Sequence, residues 1–358
     1  MKIIYKLLFL FLLTIGYSSC DFLDIVPDEI TTEADAFKDR NAAKNFVYSC
    51  YGYLPQSNVA SGSLDLLTGD EVITAFEHET FASFPKGNYT ASSPVISYWN
   101  TFFQGLRQCY IFLENVDKVP DLTESVKTDY IAQVKFLIAY YHYQLARCYG
   151  PIILIKELPD VNASQAEYLP RTSYDECVDW ICNLLDEAAS SLPAIRTNKE
   201  DYGLATSVGA KAVKAKMLLY AASPLFNGNS SFYSNFTDKS GSQLMPLTYD
   251  PNKWVKAKTA IKEAIDLAEQ NGHALYVKQD YKIGNEDANP YPAAGPVRCL
   301  RTSLVDWDSR NPEVLLAETR SEGSYGIQNK SLPFVTDGWA WNGVGPTWTC
   351  LLYTSDAA

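Results

Sequence analysis

Hydrophobic positions recur at helical spacing through most of the chain. The clearest run is Val126, Tyr130, Val134, Leu137, Tyr141, Leu145 and Cys148, with steps of four, four, three, four, four and three. Such steps keep side chains on one face of an α-helix, so the run predicts a helix with a buried stripe. Gly150-Pro151 ends it, since glycine accepts a left-handed cap and proline cannot continue the helix. Upstream, Phe46, Val47, Cys50, Tyr51 and Leu54 predict a helix closing at Pro55. Trp99, Phe102, Leu106, Cys109, Leu113 and Val116 predict a second.

Downstream, the apolar run Ile152 to Ile155 reads as a short strand. Ser173 and Glu176 have capping-box spacing, and Val178, Ile181, Leu184, Leu185 and Ala188 form the stripe that follows, up to Pro193. An alanine-rich helix is expected from about Thr206 to Ser223, burying Ala210, Val213, Met217 and Leu218. The stretch Asn227 to Tyr249, rich in Gly, Ser and Asn, reads as an irregular loop. Asp250-Pro251 then opens a helix lined by Trp254, Ala257, Ile261, Ile265 and Ala268, which ends at Gly272. On these stripes Trp99 and Trp254 are expected to be core residues.

The implied fold class is mainly α: helical hairpins of the tetratricopeptide kind forming a scaffold. An irregular α bundle would share the same periodicity. After Gly272 long helical patterns give way to dense Tyr, Trp, Gly, Asn and Pro, which fits loops and short strands carried on the scaffold. The division is thus residues 20–272, mostly helical, and 273–358, loop-rich and irregular, with residues 1–19 as a leader.

That leader has Lys2 and Lys6, the short apolar run Leu7 to Ile15, then Ser18, Ser19 and Cys20. A spanning helix needs about 20 apolar residues, so this reads as a signal peptide. Small residues followed by cysteine are similar to a lipobox, which makes Cys20 the lipidation site and new N-terminus. Tyr17 stands where a leucine is usual, and an ordinary signal peptide with an incidental cysteine is the alternative.

Composition narrows the classes. Hydrophobic residues are 47% and charged residues 20%, enough for a sizeable core. The net charge of -12 argues against nucleic acid as a partner and against anionic membrane surfaces. Of 8 cysteines, those other than Cys20 are scattered, with no CxxC and no zinc spacing. They read as core thiols, with room for a disulfide in an oxidising compartment.

Seven stretches in order resemble the SusD/RagB family of outer-membrane nutrient-binding lipoproteins. They are CDFLDIVPDEITT, YWNTFFQGLRQCYIFLENVDKV, QVKFLIAYYHYQLARCYGPIILI, RTSYDECVDWICNLLDEAASSLP, GLATSVGAKAVKAKMLLYAASPLFNG, WVKAKTAIKEAIDLA and NPEVLLAETR. The resemblance implies tetratricopeptide-like helix pairs, and a surface position in the outer membrane on a lipid anchor. It also implies binding of a glycan or other nutrient without catalysis, and delivery to a SusC-like TonB-dependent transporter. Asp21 and Asp24 beside Cys20 suit the surface-export signals of such lipoproteins. Family members continue past LLYTSDAA with further helices, so the resemblance implies a C-terminally truncated chain.

Sugar recognition without catalysis needs aromatic faces for C–H surfaces and fixed polar partners for hydroxyls. Phe76 in GDEVITAFEHE, with Glu79, is one candidate platform. Trp339, Trp341 and Asn342 in DGWAWNG are a second, and Tyr325 in GSYG a third. Core packing is the competing reading for each ring. For an enzyme, Asp70-Glu71 or Glu77 with Glu79 would be the carboxylate pairs to try. The histidines, His78, His142 and His273, lack ligand spacing, and neither GxSxG nor a P-loop occurs. No cofactor or metal motif is present, calcium included. A helical-repeat scaffold that binds proteins without binding glycans is the other class of function.

Overall fold

The computed structural model describes residues 33–55, 69, 71–74, 76, 77, 80–160, 162, 164, 169–278, 295–304, 306, 311–319 and 343–347. Its helices are α1 (Arg40–Tyr51), α2 (Trp99–Asn115), α3 (Glu124–Tyr149), α4 (Tyr174–Ser191), α5 (Ser207–Ala222), α6 (Asn252–Gln270) and α7 (Pro296–Ser303). Two short strands, β1 (Val72–Thr74) and β2 (Val344–Pro346), form a sheet. Side-chain oxygens of Asp39, Thr123 and Thr206 cap α1, α3 and α5 by accepting otherwise unpaired first-turn amides.

The long helices pack against their sequence neighbours, α2 on α3, α3 on α4, α4 on α5 and α5 on α6. Contacts between opposite ends show that successive helices run antiparallel. Tyr149 Oη, at the end of α3, accepts the amide of Tyr98 just before α2 at 2.9 Å, while Phe112 meets Tyr130 at their other ends. Between α3 and α4, His142 packs on Trp180 and Lys135 pairs with Glu187. Between α4 and α5, Tyr174 stacks on Phe226 at 4.7 Å and Asp186 binds Lys211 at 2.7 Å. Stacked antiparallel hairpins of this kind are tetratricopeptide-like, and α1 closes one end against α2 and α3.

Helix α3 is the core of the stack. Every residue from Ala132 to Ala146 is buried except Lys135 and Tyr140, so the helix is covered on all sides rather than along the expected single stripe. A helix buried all round must satisfy its polar side chains internally, as Gln133 does with Tyr51 and Asp129. Gly150 ends the helix at φ 70°, ψ -125°, a conformation suited to glycine.

Three expectations are corrected. Ile152 to Ile155 is extended but not a strand, because side chains and a loop take its backbone bonds. Thr172 N–H donates to Ile152 O, Tyr110 Oη to Ile155 O, and Ile155 N–H to His142. At the start of α4, Ser173 Oγ donates to Glu176 Oε2 at 2.6 Å instead of capping a backbone amide. In α6 the buried positions are Ala257, Ala260, Ala264 and Ala268, whereas Trp254 is 42% exposed and Ile265 49%.

The last correction has a simple cause. At 100° per residue, the centre of the buried alanine face is rotated by about 75° from that of the bulky residues Trp254, Ile261 and Ile265. Ala260 and Ala264 pack against Ala215 of α5. Small side chains let two helices approach closely, and the larger residues then sit at the edge of the contact. Trp99 is half-buried and packs against the main core, closer to expectation.

Asn227 to Tyr249, expected as an irregular loop, contains a one-turn helix at Ser230–Tyr233 and an antiparallel bridge between Thr237 and Gln243, and it is tightly tied. The buried Asn227 donates to Asp250 O and accepts from Asp250 N, both at 2.9 Å, closing the loop at its base. Gly228 lies beside it at φ 79°, and a Cβ there would come within 2.3 Å of Tyr249 N. No described helix is long and apolar enough to cross a membrane.

Candidate functional site

One of the stretches picked out for ligand contact supplies β1, and another ends immediately before β2 in the chain. Val72–Thr74, from GDEVITAFEHE, pairs antiparallel with Val344–Pro346, which begins one residue after DGWAWNG ends. The register is Val72 with Pro346, Ile73 with Gly345 and Thr74 with Val344, extended by a 2.9 Å bond from Thr347 N–H to Glu71 O. In an antiparallel pair the end of one strand lies beside the start of the other. The Phe76 end of β1 therefore meets the Gly343 end of β2.

Phe76 is half-buried, and its amide donates to Thr74 Oγ1 at 3.1 Å, which turns the chain away from the strand. Glu77 beside it pairs with Lys86 at 3.1 Å, a solvent-exposed ion pair. Cys20, Glu79, Tyr325, Trp339, Trp341 and Asn342 lie outside the described residues, as do Asp70, His78 and Cys350.

Periodicity gave no sign of a further ring beside this stretch. Tyr89 is 51% exposed and packs on Phe84 at 5.4 Å, in a turn held by Gly87 N–H to Phe84 O and Asn88 N–H to Ser83 O. A fixed, exposed ring of this kind can bind a sugar face without losing much side-chain freedom. The only signal in the sequence was an aromatic among turn residues. Trp99 is a weaker platform, since it is half-buried against the main core and Tyr149 meets it edge-on.

Acid–base and nucleophilic groups are set up for structure. Burial lowers His142 to about 4, so it stays neutral at physiological pH. Burial raises Cys177 to about 11 and Cys182 to about 12. Burial and the adjacent Cys50 thiol likewise push Cys109 well up. Thiols held protonated are poor nucleophiles. His273 engages Pro312 O through Nδ1 at 3.0 Å. Among the described residues no cluster of three or more His, Cys, Asp or Glu could hold a metal ion.

Comparisons with known proteins agree with one another. A SusD-like family model, described as starch-binding and associating with the outer membrane, matches residues 21–219. SusD-like protein P25 of Formosa agariphila is 23% identical over 230 residues, covering 61% of this chain and 43% of the relative. The solved structure of BT4246 matches with a TM-score of 0.74 at 29% identity, over 87% of this chain and 56% of that one. A SusD-like protein from Bacteroides fragilis shares the fold, with a TM-score of 0.64 at 20% identity over 89% of this chain and 53% of that one. The chain thus spans about half the length of the relatives it matches.

Proposed function

We propose, from the premise that this chain belongs to the SusD-like family that associates with the outer membrane, that it captures a glycan at the cell surface and hands it intact to a SusC-like TonB-dependent transporter. Cys20 carries the acyl chains that hold the protein on the membrane. Several acyl chains, at about 0.8 kcal/mol per buried methylene, suffice for stable anchoring.

The observation that carries this reading is the β1–β2 pairing. It pairs two segments far apart in sequence, one followed in the chain by Phe76 and the other preceded by the Trp339–Asn342 stretch. Phe76 and Glu79, which follow β1 in the chain, and Trp339, Trp341 and Asn342, which precede β2, are the residues assigned to the ring faces and polar partners that a sugar requires. Tyr325 and the exposed Tyr89 are assigned as further ring contacts. Binding without cleavage needs only this complementarity, and burial holds His142 neutral and Cys177 and Cys182 protonated, unsuited to acid–base or nucleophilic work.

Native gel electrophoresis in the presence of different polysaccharides tests the reading. At least one glycan should retard the wild type, and Phe76→Ala, Trp339→Ala and Trp341→Ala should reduce that retardation. Mobility unchanged by every glycan would refute it. For the anchor, a palmitate analogue fed to cells should label the wild type and not Cys20→Ala.

A further inference from the structure

Helix α1 turns its polar face toward an open groove of about 790 Å³, whose other walls are the first turns of α3 and the α4–α5 connection. The volume falls in the range of small-molecule sites, roughly 300–1,000 Å³. None of its lining belongs to β1, β2 or the loop stretches beside them.

Two phenol rings line it. Tyr48 is 38% exposed, and Lys44 sits one turn before it with Nζ 5.4 Å from the ring centroid. Tyr130 is half-buried on α3. Beside Tyr130, Asp129 receives a two-pronged contact from Arg196, at 2.7 Å to Oδ1 and 3.2 Å to Oδ2.

Fixed groups hold that pair in place. Arg196 Nε donates to Ala205 O at 2.9 Å, and Gln133 Nε2 donates to Asp129 Oδ2 at 2.7 Å. Gln133 Oε1 in turn accepts from Tyr51 Oη, which accepts the Ala205 amide. The relay ties the polar groups of the groove to the core, so a ligand meets donors and acceptors that need no reorganisation. A carboxylate has about four acceptor positions, and the bonds from Gln133 and Arg196 use three of those on Asp129.

Asp129 is matched by Arg196, while Lys127, which lies outside the lining, is shared between Glu124 at 2.8 Å and Asp117 at 3.1 Å. The lining itself sets Lys44 and Arg196 against Glu124, Asp129 and Asp201, an excess of one negative charge that disfavours an anionic ligand. Aromatic rings beside prearranged hydrogen-bonding groups that include carboxylate acceptors suit a polyhydroxylated ligand. We propose that this groove is a second saccharide site on the helical scaffold, separate from the β1–β2 surface, with Tyr48 and Tyr130 as ring platforms and Asp129 and Arg196 as hydroxyl partners. The proposal rests on the family reading only for the class of ligand.

Hydrogen exchange of the full chain, with and without saturating neutral hexasaccharides (maltohexaose, cellohexaose, laminarihexaose and mannohexaose), separates the outcomes. At least one sugar should slow exchange in α1 and in residues 191–204. Combining Tyr48→Ala with Tyr130→Ala should abolish that protection and weaken binding there by about tenfold or more. Protection at residues 69–77 should survive in this variant. Tyr48→Trp, which keeps a ring, should retain groove binding. Circular dichroism melting should show that the double variant is folded, as expected for rings that reach the surface. Sugar-dependent protection confined to other parts of the chain would overturn the groove and leave the function intact. No protection anywhere with any of the four sugars would overturn both.

Discussion

Ile155 donates its backbone amide to Nε2 of His142 at 3.1 Å, in the buried space between α3 and the extended segment that follows it. The other ring nitrogen, Nδ1, lies 2.8 Å from Ile138 O. Nε2 must be the acceptor, so Nδ1 carries the proton and donates to Ile138. The imidazole therefore replaces the strand partner that Ile152 to Ile155 lacks, and it can do so only while neutral.

Stability should therefore fall in mild acid. Burial holds folded His142 at about 4, below its ordinary 6.5. Its contribution is full above pH 6.5. It is lost as pH falls from 6.5 toward 4, where the unfolded chain takes up a proton and the folded chain does not. The loss is on the order of 3 kcal/mol when complete. Urea midpoints measured from pH 8 to pH 4 should decline over this window, and His142→Gln should flatten the decline. His142→Phe, which leaves the Ile155 amide buried without an acceptor, should cost about 1–3 kcal/mol at neutral pH.

Asn227 and Asp250 bond reciprocally across the base of the Asn227–Tyr249 loop. Asn227→Ala removes both bonds and leaves the Asp250 amide unsatisfied, while the Asp250 carbonyl keeps a 3.3 Å bond from Lys253 N–H, at a cost of about 1–3 kcal/mol. Limited proteolysis should then cut this loop, while α3 stays protected. Asn227→Asp keeps an acceptor but loses the donor, so its effect should be intermediate. If cleavage in Asn227→Ala is no faster than in wild type, the clamp is not what orders the loop.

The rotated face of α6 makes opposite predictions for neighbouring residues. Ala264→Leu forces extra volume into the contact with Ala215 and should destabilise by about 1–3 kcal/mol. Trp254→Ala removes a 42% exposed ring and should cost less than about 1 kcal/mol. Thermal melts of the two variants would reverse in order if the stripe of bulky residues were the buried one.

These residues show where the sequence was legible. Apolar spacing located α2 to α6, because each must bury a face and the three-and-four rhythm records it. It misjudged α6 because alanine carries little hydrophobic signal, yet its small size sets the close crossing with α5. It underestimated α3, because polar residues such as Gln133 and His142 look solvent-facing until their partners on other segments are known. The strand at Ile152 failed for the same reason, its hydrogen bonds going to a side chain on a preceding helix. The pairing of β1 with β2 is a contact between distant segments and leaves no local pattern, although DGWAWNG stood out by its tryptophans and GDEVITAFEHE by its resemblance to a ligand-facing loop of the family. The groove between Tyr48 and Tyr130 was missed because its rings lie on helices, where an aromatic reads as packing.

The described thiols give a last test, because reactivity and alkaline stability follow from one cause. Cys50, Cys109, Cys177 and Cys182 are buried. Burial raises Cys177 to about 11 and Cys182 to about 12, against an ordinary 9.0. A raised folded value means that the folded chain keeps its proton where the unfolded chain has lost it. Stability from these two thiols is therefore full below about pH 9 and is lost as pH rises through 11 and 12. Native protein at pH 8 should leave all four unreactive toward a disulfide reagent such as DTNB, so that among the described thiols slow labelling falls on the half-buried Cys148 and Cys299. Guanidinium should release every thiol together in the unfolding transition. Fast native labelling of Cys182, found by peptide mapping, would mean that the α4–α5 contact opens well below the global unfolding free energy, contrary to a single packed stack.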